Sequence, residues 1–101
     1  MEPWQAELIG RIAVAVDDHR AGSLSLRKLV EDSRGLFDAA DISDNIIRSE
    51  FLVVWAPVDG ELELRTEDWS RPEWVSDECL ETVLDDLRNW ALQRSTGSVT
   101  Q

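Results

Sequence analysis

Between Asp59 and Asp86 the chain carries eleven carboxylates: Asp59, Glu61, Glu63, Glu67, Asp68, Glu73, Asp77, Glu78, Glu81, Asp85 and Asp86. Only Arg65 and Arg71 oppose them, so eleven acids against two bases give the stretch a formal −9 of the chain's −11. Carboxylates at this density can hold a cation, work as an acid–base pair or attract a basic partner. A calcium loop of the EF-hand kind needs alternating ligands, a central glycine and a closing glutamate. Asp38 to Glu50 lacks that glycine. Acid pairs such as Asp17–Asp18, Asp85–Asp86 and Glu81–Asp85 fit a solvated helix face better than a calcium cage. A zinc site would need more than the single histidine, His19, and the single cysteine, Cys79. His19, near a helix end beside Asp17 and Asp18, suits a hydrogen bond to a carbonyl or an acid rather than catalysis. Cys79 sits in an acidic turn that disfavours a thiolate and has no histidine in sequence reach. No metal, cofactor or catalytic set is expected. A basic protein partner is then the simplest reason for a charge density that costs stability through self-repulsion.

Two of the five tryptophans, Trp69 and Trp74, stand among these acids around Ser70-Arg71-Pro72-Glu73. They either cover one end of the fold or anchor an interface, where tryptophan is enriched. The candidate partner-binding residues are Glu67, Asp68, Trp69, Glu73, Trp74, Asp77 and Glu78. One further serine has a chemical precedent. Asp32-Ser33 resembles the phosphopantetheine attachment site of acyl carrier proteins, which are also small, acidic and helical. In that family the serine opens a helix and an apolar residue follows. Here Ser33 falls inside a helical stripe and Arg34 follows.

Four amphipathic stretches must position these residues. Pro3 suits a first helical turn. Trp4, Leu8, Ile12, Ala15, Val16 and His19, widened by Ile9 and Ala13, then recur at helical spacing up to Arg20-Ala21-Gly22. Ser23 or Ser25 caps a second helix whose stripe is Leu26, Leu29, Val30, Ser33, Leu36, Phe37 and Ala40. Gly35 inside it marks either a close helix contact or a surface position. Ser43 is expected to cap a third helix burying Ile46, Ile47, Phe51, Val54 and Trp55, with Pro57 and Gly60 stopping it. The run Leu52-Val53-Val54-Trp55 also suits a short strand. Glu61 to Val75 has no sustained period and is expected to be an irregular loop with a turn of helix, with a short strand at Glu61 to Arg65 as the alternative. Ser76 caps a last helix with Asp77 and Glu78 in its first turn and Leu80, Val83, Leu84, Leu87, Trp90 and Ala91 on its inner face. Stripes of this kind with short connections predict an all-α, single-domain, antiparallel four-helix bundle over residues 1–95, with an irregular acidic segment before the last helix and a polar tail at 96–101. Trp4, Trp55 and Trp90 are expected in its core.

The whole composition narrows the partners. Residues are 43% hydrophobic and 31% charged over 101 positions, enough for one small core. A single cysteine excludes an internal disulfide and fits a reducing compartment. No apolar run approaches the roughly 20 residues of a membrane span, and Met1 to Gly10 lacks a secretory pattern. A cytoplasmic protein is expected. A pI near 4.3 with Lys28 as the only lysine argues against nucleic acid or an anionic membrane as the direct partner.

Gly22-Ser23-Leu24-Ser25-Leu26-Arg27-Lys28-Leu29-Val30-Glu31-Asp32, then Leu36-Phe37-Asp38-Ala39-Ala40, with Phe51 and Trp55, resembles small acidic helical proteins encoded beside bacterial polymorphic or contact-dependent toxins. Proteins of that kind are immunity proteins. The resemblance implies binding and neutralisation of a cognate toxin domain, often a nuclease, by a partner that is not an enzyme. In similar sequences the third helix runs on past the point where Pro57 and Gly60 stand here. An adaptor or secretion-chaperone-like module is the main rival and would leave a hydrophobic groove exposed. An acyl carrier would need Ser33 accessible for modification. The oligomeric state stays open.

Overall fold

Each helix begins and ends where its local chemistry allows. The computed structural model describes residues 1–96 and holds α1 (Pro3–Arg20), α2 (Leu26–Ala40), α3 (Asn45–Thr66), a single 3-10 turn (Pro72–Trp74) and α4 (Asp77–Thr96). Gln5 fixes the start of α1 from both sides of its amide. Its Oε1 accepts the Glu2 backbone N–H at 2.7 Å, and its Nε2 donates to the Ala40 carbonyl at the end of α2 at 2.9 Å. Gly22, at φ +86°, turns the chain out of α1, a conformation that favours glycine. Its N–H donates to His19 O, while His19 Nδ1–H donates to the Leu24 carbonyl at 2.9 Å. His19 thus closes the α1–α2 turn. Of the two serines, Ser25 is the cap, its Oγ accepting from Lys28 N–H at 3.1 Å.

Four helices form an antiparallel bundle. α1 packs on α2 and α4, and α3 packs on the same two helices. The core has two halves. Ile9, Ile12 and Val16 of α1 meet Leu29 of α2 and Leu84 and Leu87 of α4 in a fully buried aliphatic cluster. Phe37, Phe51 and Trp90 add an aromatic cluster joining α2, α3 and α4. Ser33, also fully buried, donates its hydroxyl to the Leu29 and Val30 carbonyls at 2.7 and 3.1 Å. Gly35 is a surface position, with open space where a Cβ would stand.

The third helix departs from expectation at both ends. Asp44, not Ser43, caps it, accepting from Ile46 and Ile47 N–H at 2.8 and 3.3 Å. Pro57 and Gly60 do not stop it. Proline removes the hydrogen bond to the Val53 carbonyl, but Val53 and Pro57 are both exposed, so water can satisfy that carbonyl. Beyond the proline, Val58 and Leu62 turn toward the core four residues apart, and the Glu61–Arg65 ion pair bridges the same turn. Residues 61–65 are therefore helix, neither strand nor loop.

Three side chains also differ in burial. Trp4 is half exposed rather than core: Gly10 already meets Ser95 near the end of α4, so the first turn of α1 runs past it. Ile46 is 69% exposed, because α3 turns only Ile47, Phe51, Val54, Trp55, Val58 and Leu62 inward. Trp55 is half-buried, its indole N–H donating to the Val30 carbonyl at 3.1 Å. Ser95 and Thr96 belong to α4, and the rest of the expected tail, 97–101, lies outside the described residues.

Glu50 seals the aromatic half. Its carboxylate accepts from Trp90 Nε1–H at 3.1 Å and from Arg94 Nε–H at 2.7 Å, with a second bond to Arg94 Nη2. Replacing Trp90 by alanine removes a side chain that is 8% exposed and leaves Glu50 without one donor. The expected cost is about 3–5 kcal/mol in chemical denaturation. An unchanged midpoint would place the indole on the surface.

The same carboxylate predicts a pH effect. Hydrogen bonds from Arg94 first, then Trp90, hold the Glu50 pKa below the ordinary carboxylate value. A depressed pKa stabilises the fold above the unfolded-state pKa, and the gain disappears as pH falls through the folded-state pKa. The stability difference between wild type and Glu50→Gln should be constant from neutral pH to about pH 5 and shrink below about pH 4. It should be modest, since the side chain is 34% exposed and partly screened. A difference that grows on acidification would contradict the assignment.

Candidate protein-binding surface

The acidic segment is built on a staple. Arg65, in the last turn of α3, donates Nη1–H to the Glu61 carboxylate at 2.8 Å and Nη2–H to the Ser76 carbonyl at 3.3 Å. It thereby ties the end of α3 to the residue that opens α4. Ser76 Oγ in turn accepts from Cys79 N–H at 3.3 Å, as the expected cap. Between these anchors Glu67 leaves the helix in an extended conformation, and Ser70 folds back, its N–H on the Glu67 carbonyl and its hydroxyl on the Leu64 carbonyl. Pro72 starts the single 3-10 turn, suited to a position that needs no N–H donor.

This turn brings Trp69 and Trp74 together. Their ring centroids lie 6.4 Å apart at an interplanar angle of 43°. The two rings are 56% and 49% exposed, and neither joins the core or its partly buried lining. About half of each indole residue is in solvent, and the two rings lie against each other. Arg71 lies over the Trp74 ring at 5.9 Å, a cation–π distance.

Around the pair, Glu67, Asp68, Glu73, Asp77 and Glu78 are all exposed. Among the described residues none of these five, nor Asp59, Glu63 or Asp86, has a base within 4.0 Å. The other three acids of the stretch are engaged: Glu61 with Arg65, and Glu81 and Asp85 with Arg20 of α1 at 2.9 and 2.6 Å. The seven residues selected from the sequence thus lie along one end of the bundle, with Asp77 and Glu78 also favourably placed at the positive end of the α4 dipole.

Other chemistry-bearing groups stand apart. Cys79 is a free, exposed thiol. Among the described residues no three His, Cys, Asp or Glu side chains converge to hold a metal ion, and no helix is long and apolar enough to cross a membrane. Ser33, buried and bonded to its own helix, offers no accessible hydroxyl for a phosphopantetheine arm.

One surface escaped the sequence reading. Ile46 and Val53, 69% and 72% exposed, border a shallow apolar depression floored by Val54 and Trp90. The signal was available: apart from Arg48, Glu50 and Asp59, the α3 sequence from Asn45 to Gly60 carries no charge. No protein-family model matches the chain, and neither a curated protein nor a solved structure does.

If Trp69 and Trp74 shield only each other, replacing both by alanine should cost less than about 1 kcal/mol in urea unfolding, as for surface sites. A loss of several kcal/mol would show that they seal the bundle end.

Proposed function

We propose that this protein is a non-enzymatic inhibitor of the immunity type, acting in the bacterial cytoplasm on a basic toxin domain. The observation that carries the reading is the exposed Trp69–Trp74 pair set among Glu67, Asp68, Glu73, Asp77 and Glu78, none of which has a base within 4.0 Å among the described residues. Exposed indoles supply contact area at little ordering cost, while unpaired carboxylates steer a basic surface toward them. Against a nuclease, carboxylates stand where backbone phosphates would lie, and the bound domain occludes the cleft. Because the Debye length is about 8 Å at physiological salt, the charge acts mainly on encounter and partner choice, with the aromatic contacts holding the complex.

A second reading, an adaptor or secretion-chaperone-like module, draws on the apolar depression of α3 beside Ile46 and Val53. The two readings separate experimentally. Reversal of Glu67, Asp68, Glu73, Asp77 and Glu78 to lysine should preserve the helical spectrum. Only Asp77 and Glu78 are helical, and each should cost about 0.3–1 kcal/mol through the dipole. The variant should lose binding to a cognate basic toxin domain, and the wild-type association rate should fall steeply with added salt. An unaltered on-rate and salt slope in the variant would remove the acidic end from the interface.

A further inference from the structure

The outer face of α3 is bare of charge on a chain that carries −11. Ile46, Ser49, Leu52, Val53, Ala56 and Gly60 follow one another along it, about 21 Å from end to end. Ile46, Leu52 and Val53 are 69%, 47% and 72% exposed. Single exposed apolar residues need no explanation, but a contiguous strip does. The charged residues of the same turns lie at its flanks. Glu50 is engaged with Arg94 and Trp90. Arg48 and Asp59, both on the opposite flank, have no ion-pair partner among the described residues. Gly60 is unexplained by the monomer: it weakens a helix interior, its φ is not positive, and a Cβ there would meet nothing within 4 Å.

We propose that this strip is a self-association surface on which α3 of a second copy lies antiparallel, with the two-fold axis beside Val53. An antiparallel pair places residues equidistant from the axis opposite each other. Ile46, seven residues before Val53, then faces Gly60 of the second copy, seven residues after it, and the missing Cβ leaves room for the isoleucine. Flanks on the same side of both helices meet in an antiparallel pair. Arg48 therefore comes beside Asp59 of the second copy, and the symmetry makes the ion pair twice. Ser49 falls opposite Pro57 of the second copy, where its hydroxyl can donate to the Val53 carbonyl that the proline leaves without an intrahelical donor.

Charge also selects this arrangement. Two copies at −11 repel, and a parallel pairing would set their acid-rich ends side by side. The antiparallel pairing sends the two acidic ends to opposite ends of the dimer. A strip of four helical turns buries less than the roughly 1,200 Å² of a tight complex, so the dissociation constant should lie on the order of 10–100 µM.

Sedimentation of the full chain from about 5 to 500 µM tests this, a range chosen to span that constant. Wild type should pass from monomer to dimer. Val53→Glu should remain monomeric throughout with an unchanged circular dichroism spectrum and melting temperature. Arg48→Asp and Asp59→Arg should each weaken the dimer about tenfold or more, and the double exchange should restore it. In a Cys79→Ser background, Val53→Cys should oxidise to a disulfide-linked dimer. A wild type that stays monomeric at the highest concentration overturns the proposal, including the case in which the strip instead captures an apolar helix of another protein. A dimer indifferent to Val53→Glu and to the charge exchange also overturns it, because the contact then lies elsewhere.

Discussion

The attachment of α3 depends on one ring. Phe51 and Val58 are its only fully buried side chains, and Phe51 lies parallel to Phe37 of α2 at a centroid distance of 4.0 Å, with Trp90 of α4 at 5.6 Å and Trp55 at 6.1 Å. Aromatic rings bury large areas with few rotors, so a single phenylalanine can hold a long helix against two others. Its neighbours point their polar atoms outward to fixed partners. The Trp55 indole N–H meets the Val30 carbonyl, the Trp90 N–H meets Glu50, and the Arg34 guanidinium lies 5.3 Å above the Trp55 ring. The inner face of α3 is thereby fully committed, and its outer face has no structural duty.

The helical stripes of α2 and α4 were legible because each helix buries one narrow face, and the periodic residues from Leu26 to Ala40 and from Leu80 to Ala91 are the ones inside. The third helix departs from its sequence pattern for two physical reasons. Pro57 forbids one hydrogen bond, not a helix, and the freed Val53 carbonyl can meet water while Val58 and Leu62 hold the next turns against the core. Ile46 has the composition of a core residue, yet its position about one third of a turn from the inward face leaves it in solvent. Trp4 shows the complementary limit: periodicity places it on the correct face, but whether a neighbouring helix reaches that far is a property of lengths and offsets. Arg65 and Glu50 were invisible as anchors because their partners, Ser76, Trp90 and Arg94, lie on a different helix or before its start.

Charge on this molecule is sorted by where the bases go. Seven of the ten Lys and Arg side chains are in ion pairs: Arg11, Arg20, Lys28, Arg34, Arg65, Arg88 and Arg94. Arg20 and Arg88 link α1 to α4, and Arg94 links α4 to α3. Exposed pairs of this kind add little stability each. Their larger effect is on the net field, because they neutralise acids along the sides of the bundle, whereas at the end around Trp69 and Trp74 Arg65 is engaged by Glu61 and Ser76 and Arg71 has no ion-pair partner among the described residues. The acid-rich stretch thus keeps most of its negative charge unpaired in the folded molecule.

Localisation carries a consequence for α3 itself. Its first four turns present an uncharged strip, and its last turn leads into the densest carboxylates of the chain. If the charge were spread evenly, every surface of a −11 protein would repel a second copy, and no apolar strip could be used for association. With acids densest in the stretch that follows Glu63 and the strip confined to Ile46 through Gly60, one helix presents an uncharged surface along its first turns and leads into a strongly negative one at its end. The two demands conflict on one patch and become compatible when separated along one helix axis. Pro57 and Gly60 sit at the boundary between them. A sequence selected only to make α3 a stable helix would use neither residue, so their presence there fits a face whose neighbours are to be other molecules as well as the core.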